Sequence, residues 1–124
     1  MAVKEQSQRQ LKVGQEIKRI IAEEINHDRV HNLQGLDVLV TIMEAQVSPD
    51  LKYADVYFVT SNPEKDQTVQ EALQLAANHF RKVVAGKTML RYVPEIRFMI
   101  DRSLEEAGKI EKLLHDPKVV RDLD

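Results

Sequence analysis

Residues 73–87 read LQLAANHFRKVVAGK, and the way this stretch folds decides the architecture. Leu73, Ala76, Phe80 and Val83 or Val84 recur at helical spacing. Asn78-His79 and Gly86 interrupt the pattern, and the stretch contains no acid. The reading is a helix with a weak point near its middle and only positive charge around it.

Working outward, Val13, Ile17, Ile20, Ile21 and Ile25 mark one face of a helix over 6–26, with Lys18, Arg19, Glu23 and Glu24 turned outward. His27 to Gly35 reads as a loop. Segments 36–47 and 53–60 are dense in Val, Ile, Tyr and Phe, and Ser48-Pro49-Asp50-Leu51 between them places Pro at a turn position. An antiparallel hairpin follows from that pattern. In its second arm Ala54, Val56 and Phe58 share one face while Asp55, Tyr57 and Val59 share the other, which leaves an aromatic available for an exposed contact.

Asn62-Pro63-Glu64 has the form of a helix start, Asn capping and Pro at the first helical position, where its missing N–H costs nothing. That helix runs on through 73–87. Beyond it, 92–101 alternates as a third strand, with Pro94 tolerable only near its beginning or at an edge. Ser103-Leu104-Glu105-Glu106 has capping-box spacing ahead of Ile110, Leu113 and Leu114, so a short last helix and then a loose tail are expected.

The order helix, strand, strand, helix, strand, helix describes an α+β domain, its helices packed on one face of a three-stranded mixed sheet. Residues 1–102 form the folded domain in this reading, and 103–124 supply the short C-terminal helix and flexible tail. Among 124 residues, 43% are apolar and 31% charged, the composition of an ordinary globular domain. The absence of Cys excludes disulfides and thiolate metal sites and fits a reducing compartment. No export signal or membrane span is legible, so the cytoplasm is the expected location.

The net charge of −2 is not that of a strongly basic nucleic-acid binder, but its distribution is uneven. From Ala72 to Pro94 the charged residues are Arg81, Lys82, Lys87 and Arg91, with no Asp or Glu. The first 19 residues add Lys4, Arg9, Lys12, Lys18 and Arg19 against Glu5 and Glu16, while acids gather toward the C-terminus. Exposed helices normally mix signs, so an acid-free run marks an electrostatic footprint for nucleic acid.

Other chemistries have little support. His27 and His31 lack the companion spacing of a zinc site, and His79 and His115 stand alone, so no metal or cofactor is expected. No G-x-S-x-G, Walker loop or H-E-x-x-H occurs, and the carboxylates read as solvated helix faces rather than an active site. A different class of function also fits these residues: a small metabolite-binding or homodimeric α+β protein using its open sheet face.

The element order invites comparison with KH domains, which clamp RNA backbone at a G-x-x-G loop. The glycines are Gly14, Gly35, Gly86 and Gly108, so no such loop exists. Five segments in order, KVGQEIKRIIAEEI, EAQVSPDLKYADVYF, EALQLAANHFRKVV, VPEIRF and DRSLEE, make the chain resemble the bacterial ribosome-binding factor A family over nearly its whole length. That resemblance implies a type II KH-like fold in which a helix–kink–helix with an Ala-x-Gly signature replaces the G-x-x-G loop, placing the kink at Ala76, Ala77 and Asn78. Asn78 stands where the signature has Gly. Asn visits left-handed geometry more readily than other non-glycine residues, so the kink is expected to persist.

The resemblance further implies binding to 16S rRNA within the free, immature 30S ribosomal subunit, assistance to late maturation and 5′ end processing, and a role in the cold. Ribosomal proteins and assembly GTPases would be further contacts, and the protein would act as a monomer without catalysis. In this reading the break lets the backbone N–H groups and Arg81, Lys82 and Lys87 face phosphates, with Arg91, Lys12, Lys18 and Arg19 completing the RNA-binding set.

Overall fold

The protein is described by a computed structural model over residues 7–26 and 38–103. The loop at 27–35, the last helix, the tail, and His27, His31 and His115 lie outside the described residues. The first helix, α1, spans Gln8–Asn26. Its start is a capping box that the opening residues spell out as S-x-x-Q. The Gln10 backbone N–H donates to Ser7 Oγ at 3.1 Å, and the Ser7 N–H donates to Gln10 Oε1 at 2.9 Å. Gln10 is buried, and its Nε2 also donates to the Val47 carbonyl at 2.8 Å, tying the helix start to the end of the first strand.

Strands β1, Val40–Val47, and β2, Tyr53–Thr60, form the expected antiparallel hairpin. Asp50 closes the turn by accepting from Ser48 Oγ at 2.6 Å and from the Lys52 N–H at 3.0 Å, while Leu51 takes a left-handed φ of 61°. The Ser48 hydroxyl, then the Lys52 N–H, holds the Asp50 carboxyl below its usual range. A bulge at Met43 sets Ile42 opposite Phe58 and Glu44 opposite Tyr57, so that Met43 and Glu44 both face outward and Ala45 returns to the core.

Asn62 caps a 3₁₀ turn, Pro63–Lys65, by accepting from the Glu64 N–H at 3.1 Å, as its place before Pro63 predicts. Helix α2, Asp66–Leu75, and helix α3, Ala77–Lys87, follow, separated at Ala76. Strand β3, Glu95–Ile100, then runs parallel to β2, giving the sheet order β1-β2-β3. It begins after Tyr92-Val93-Pro94 rather than at Tyr92. Pro94 has no N–H for a ladder, and the Val93 carbonyl is taken by Arg81.

All three helices pack on one face of the sheet. Ile17, Ile20 and Ile21 of α1, Val69 and Leu73 of α2, and Phe80 and Val84 of α3 meet Val56, Phe58, Ile96 and Phe98 in one core. The Phe80 and Phe98 rings lie 5.2 Å apart at 59°, a tilted pair that adds about 1 kcal/mol beyond its buried area. Gly14 allows α1 to rest directly on β1, since a Cβ there would meet the Ala45 carbonyl oxygen at 2.5 Å. The free edge of β3 is closed by side chains: Gln70 Nε2 donates to the Phe98 carbonyl at 2.9 Å, Gln74 Nε2 donates to the Ile96 carbonyl at 3.3 Å, and Gln74 Oε1 accepts from the Phe98 N–H at 3.0 Å.

Candidate nucleic-acid interface

The helix breaks where expected, but by another route. Ala76 sits at φ −91° and ψ 8°, in the sparsely populated bridge between helical and extended backbone, and its N–H reaches both the Leu73 carbonyl at 3.0 Å and the Ala72 carbonyl at 3.2 Å. This is a tightening of the last turn of α2. Helix α3 then starts afresh with the Phe80 N–H donating to the Ala76 carbonyl at 3.1 Å. Asn78 is an ordinary residue of that helix, and among the described non-glycine residues only Leu51 has a positive φ, so the expected left-handed Asn78 is not found. Leu75, beside the break, is 80% exposed.

The surroundings of the break also correct the sequence reading. Residues 72–94 lack an acid in sequence but not in space, because His79 Nε2 contacts Glu24 Oε2 at 2.5 Å. Glu24, read from periodicity as outward-facing, is 3% exposed. Its side chain turns under α3, where the half-exposed imidazole covers it. The break is therefore flanked by a His–carboxylate pair.

The cations gather instead where the C-terminal end of α3 and the following segment meet the first half of α1. One recess, of 470 Å³, brings Arg9, Lys12 and Arg19 of α1 against Lys87 and Met89, with Glu16 also on its wall. A larger cleft, of 740 Å³, adds Arg81, Arg91 and Lys52 to the same Arg9, with Asp50 and Glu95 at its margin. Arg9, Val13 and Leu90 line both, so the two recesses form a continuous track. Met89 is fully exposed and Tyr92 is 76% exposed, which interleaves apolar and aromatic surface with the positive charge.

The predicted residues thus divide. Lys12, Arg19, Lys87, Arg81 and Arg91 line the track. Arg19 also reaches Glu23 at 3.4 Å along its own helix. Lys18 sits in a separate hollow with Glu44 and Asp101, and Lys82 is exposed but lines neither recess of the track. Arg81 is a structural tie as well as a charge: its Nε and Nη2 donate to the Val93 carbonyl at 3.1 and 2.9 Å. Arg9, already counted among the N-terminal cations, lines the track although it stood outside the expected binding set, as did Lys52, Met89 and Tyr92. Arg9 stands three residues before Lys12, one helical turn away, and that spacing is the signal that would have placed it in the set.

The outer sheet face carries Tyr53, Tyr57, Met99 and Arg97, and Tyr53 also reaches the wall of the larger cleft. Arg97 is held between Asp55, with Nε to Oδ1 at 2.7 Å, and the Tyr53 ring, 4.5 Å from its centroid. Burial first, then the neighbouring carboxylates of Asp55, Glu44 and Asp101, pushes the Tyr57 hydroxyl above its ordinary value. No cluster among the described residues could hold a metal ion, and no described helix is long and apolar enough to cross a membrane.

An α–β–β–α–α–β chain with a mixed three-stranded sheet, a broken helix in place of a G-x-x-G loop and a cationic flank defines a KH-like α+β domain. Residues 9–114 match the family model of ribosome-binding factor A. The chain belongs to the ribosome-binding factor A family. It is 36% identical over 118 residues to ribosome-binding factor A of Bradyrhizobium diazoefficiens, covering 95% of this chain and 82% of that one. The solution structure of a Thermotoga maritima protein described as a putative ribosome-binding factor A superposes with a TM-score of 0.66 at 30% identity, covering 83% of this chain and 96% of that one. A homology model of Thermus thermophilus ribosome-binding factor A, fitted into a cryo-EM map of a complex with 30S, shares the fold with a TM-score of 0.59 at 22% identity, covering 72% and 91%.

Proposed function

We propose that this protein binds the 30S ribosomal subunit through 16S rRNA, using the track shared by α1, α3 and the 88–95 segment. Family membership supports the ribosomal role, as does the Thermus thermophilus relative placed on 30S. The observation that carries the choice of surface is the joining of Arg9, Lys12 and Arg19 to Lys87 across two helices, which no single-helix charge pattern requires. Phosphate contacts of this kind fix position without reading sequence.

In this reading the protein acts late in maturation of the immature subunit, aids 5′ end processing of 16S rRNA without cleaving it, and matters most in the cold. It works in the cytoplasm as a monomer, with ribosomal proteins and assembly GTPases as neighbours on the particle. The test is sedimentation of lysate through sucrose at low and high salt. Comigration with small subunits at low salt, lost at high salt and in a Lys12→Glu/Lys87→Glu variant of unchanged Tm, is the expected result. A protein that stays at the top of the low-salt gradient in growing cells would falsify the proposal.

A further inference from the structure

The larger half of the track has features that charge attraction alone does not call for. Its floor is apolar, made by Val13, Leu51 and Leu90, while Arg9, Arg81, Arg91 and Lys52 stand around it. Its volume, 740 Å³, falls within the range of small-molecule sites and is far more than a phosphate group fills. Tyr92 stands at this cleft 76% exposed, although a tyrosine at the head of a strand could have packed inward as Val93 and Pro94 do. The Arg91 guanidinium lies 5.6 Å from the Tyr92 ring centroid. Arg81 pins the backbone beneath through its two bonds to the Val93 carbonyl, so the ring is carried on a fixed segment.

We infer that this cleft takes one nucleotide of unpaired RNA, its base laid against Tyr92 over the apolar floor and its phosphate held by Arg9 and Arg91. The inference rests on the RNA-binding reading and adds the ligand's strandedness to it. Bases in a duplex present only their edges, whereas a splayed base offers a face to an aromatic side chain. The two acids at the margin do not cancel the site. Asp50 is already bonded to the Ser48 hydroxyl and the Lys52 N–H, and four cations face two carboxylates. On α3 the site touches only Arg81, five residues past Ala76, and is otherwise built from α1, the 50–53 turn and the 90–95 segment rather than from the break itself.

The experiment is titration of the full chain with a labelled unpaired RNA oligonucleotide of mixed sequence, and with the same oligonucleotide annealed to its complement, across a range of salt. Tyr92→Ala is expected to weaken the unpaired RNA roughly tenfold while leaving the salt slope and the duplex affinity unchanged. Tyr92→Phe is expected to bind like the unmodified protein, and Arg91→Gln to reduce the slope by about 0.7. Because Tyr92 is largely exposed, its variants should keep the parent Tm. Wild-type affinity in Tyr92→Ala, or an equal loss on the duplex, overturns the nucleotide site while leaving the RNA reading in place. If the unmodified protein binds neither RNA, the RNA reading fails and this site with it.

Discussion

Gly14 lies directly on the carbonyl of Ala45: a side-chain carbon at residue 14 would stand 2.5 Å from that oxygen, closer than any such contact tolerates. The obstacle is backbone, so relief requires moving the bulged strand or lifting the helix. Replacing a helix glycine by alanine normally stabilises by up to about 1 kcal/mol, whereas overpacking costs about 1 to 3 kcal/mol. Gly14→Ala is therefore expected to lower stability by roughly 1 kcal/mol, read as a lower urea midpoint at constant m. A raised midpoint would show that α1 does not seat on β1 as described.

The Glu24–His79 contact joins the last turn of α1 to the first turn of α3 across a nearly closed carboxylate. Truncating His79 to alanine removes a partner from a group that is 3% exposed, and a hydrogen bond to a charged group contributes about 1.5 to 3 kcal/mol. With the imidazole itself half-exposed, a loss of roughly 1 to 2 kcal/mol in chemical denaturation is expected, larger than for Asn78→Ala in the same turn.

Gln74 takes the place of a fourth strand at the edge of β3, donating to Ile96 and accepting from Phe98. Gln74→Ala leaves both backbone groups without that partner and is expected to cost roughly 1 to 2 kcal/mol and to speed hydrogen exchange at the Phe98 amide. Gln74→Glu keeps the acceptor and loses the donor, so the Phe98 amide should stay protected at neutral pH. Equal exchange in the two variants would mean that the side chain does not cap the edge.

Tyr57 carries a pH prediction. Its hydroxyl is raised above 10.0 by burial and by the carboxylates of Asp55, Glu44 and Asp101, so the folded state holds its proton longer than the unfolded chain does. Stability attributable to this residue is therefore constant below about pH 10 and falls as the pH rises through that value toward the folded-state pKa. Tyr57→Phe should flatten that part of a stability–pH curve, and Glu44→Gln should leave its onset in place while bringing its upper end to lower pH and making the fall smaller. An alkaline limb identical in Tyr57→Phe would contradict the assignment.

The two groups of cations should separate in salt titrations with unpaired RNA. Four neutralised phosphates at a slope of about −0.7 each give roughly a fiftyfold loss of affinity between about 50 and 200 mM salt. Arg9→Gln and Lys87→Gln are each expected to reduce the slope by about 0.7, and Lys18→Gln, which sits with Glu44 and Asp101, to leave it unchanged. A slope that falls with Lys18 but not with Arg9 would place the RNA on the other flank of α1.

Local signals carried the fold. The 3.6-residue spacing of Ile17, Ile20 and Ile21, the alternation of Ala54, Val56 and Phe58, the Pro49 turn and the Asn62-Pro63 start are each written within one element, and each element appears within a few residues of its expected bounds. Asn78-His79 marked a weak point in the middle of the helix and the family resemblance placed it at Ala76 to Asn78, but the 3₁₀ tightening at Ala76 itself has no residue of its own to announce it. What stayed illegible joins distant residues. Gln10 to Val47, Glu24 to His79 and Gln74 to Phe98 link positions 37, 55 and 24 apart, and a polar residue gives no sign of which remote backbone it will meet. For the same reason Glu24 read as solvent-facing, and Arg9 and Lys18 could not be told apart before the packing of α1 on α3 put one in the track and the other in a separate hollow with acids.

Arg81 and Lys87, a helix length of about 9 Å apart on α3, answer to different selective pressures. Arg81 grips one carbonyl with two nitrogens, a geometry that a lysine cannot reproduce, so even a charge-preserving exchange there unmoors the approach to β3. In the proposed RNA track Lys87 has only to be positive. Drift among relatives should therefore exchange lysine and arginine freely at 87 while holding arginine at 81, and a genetic screen that scores both alike as lost charge would be mixing a joint with a lure.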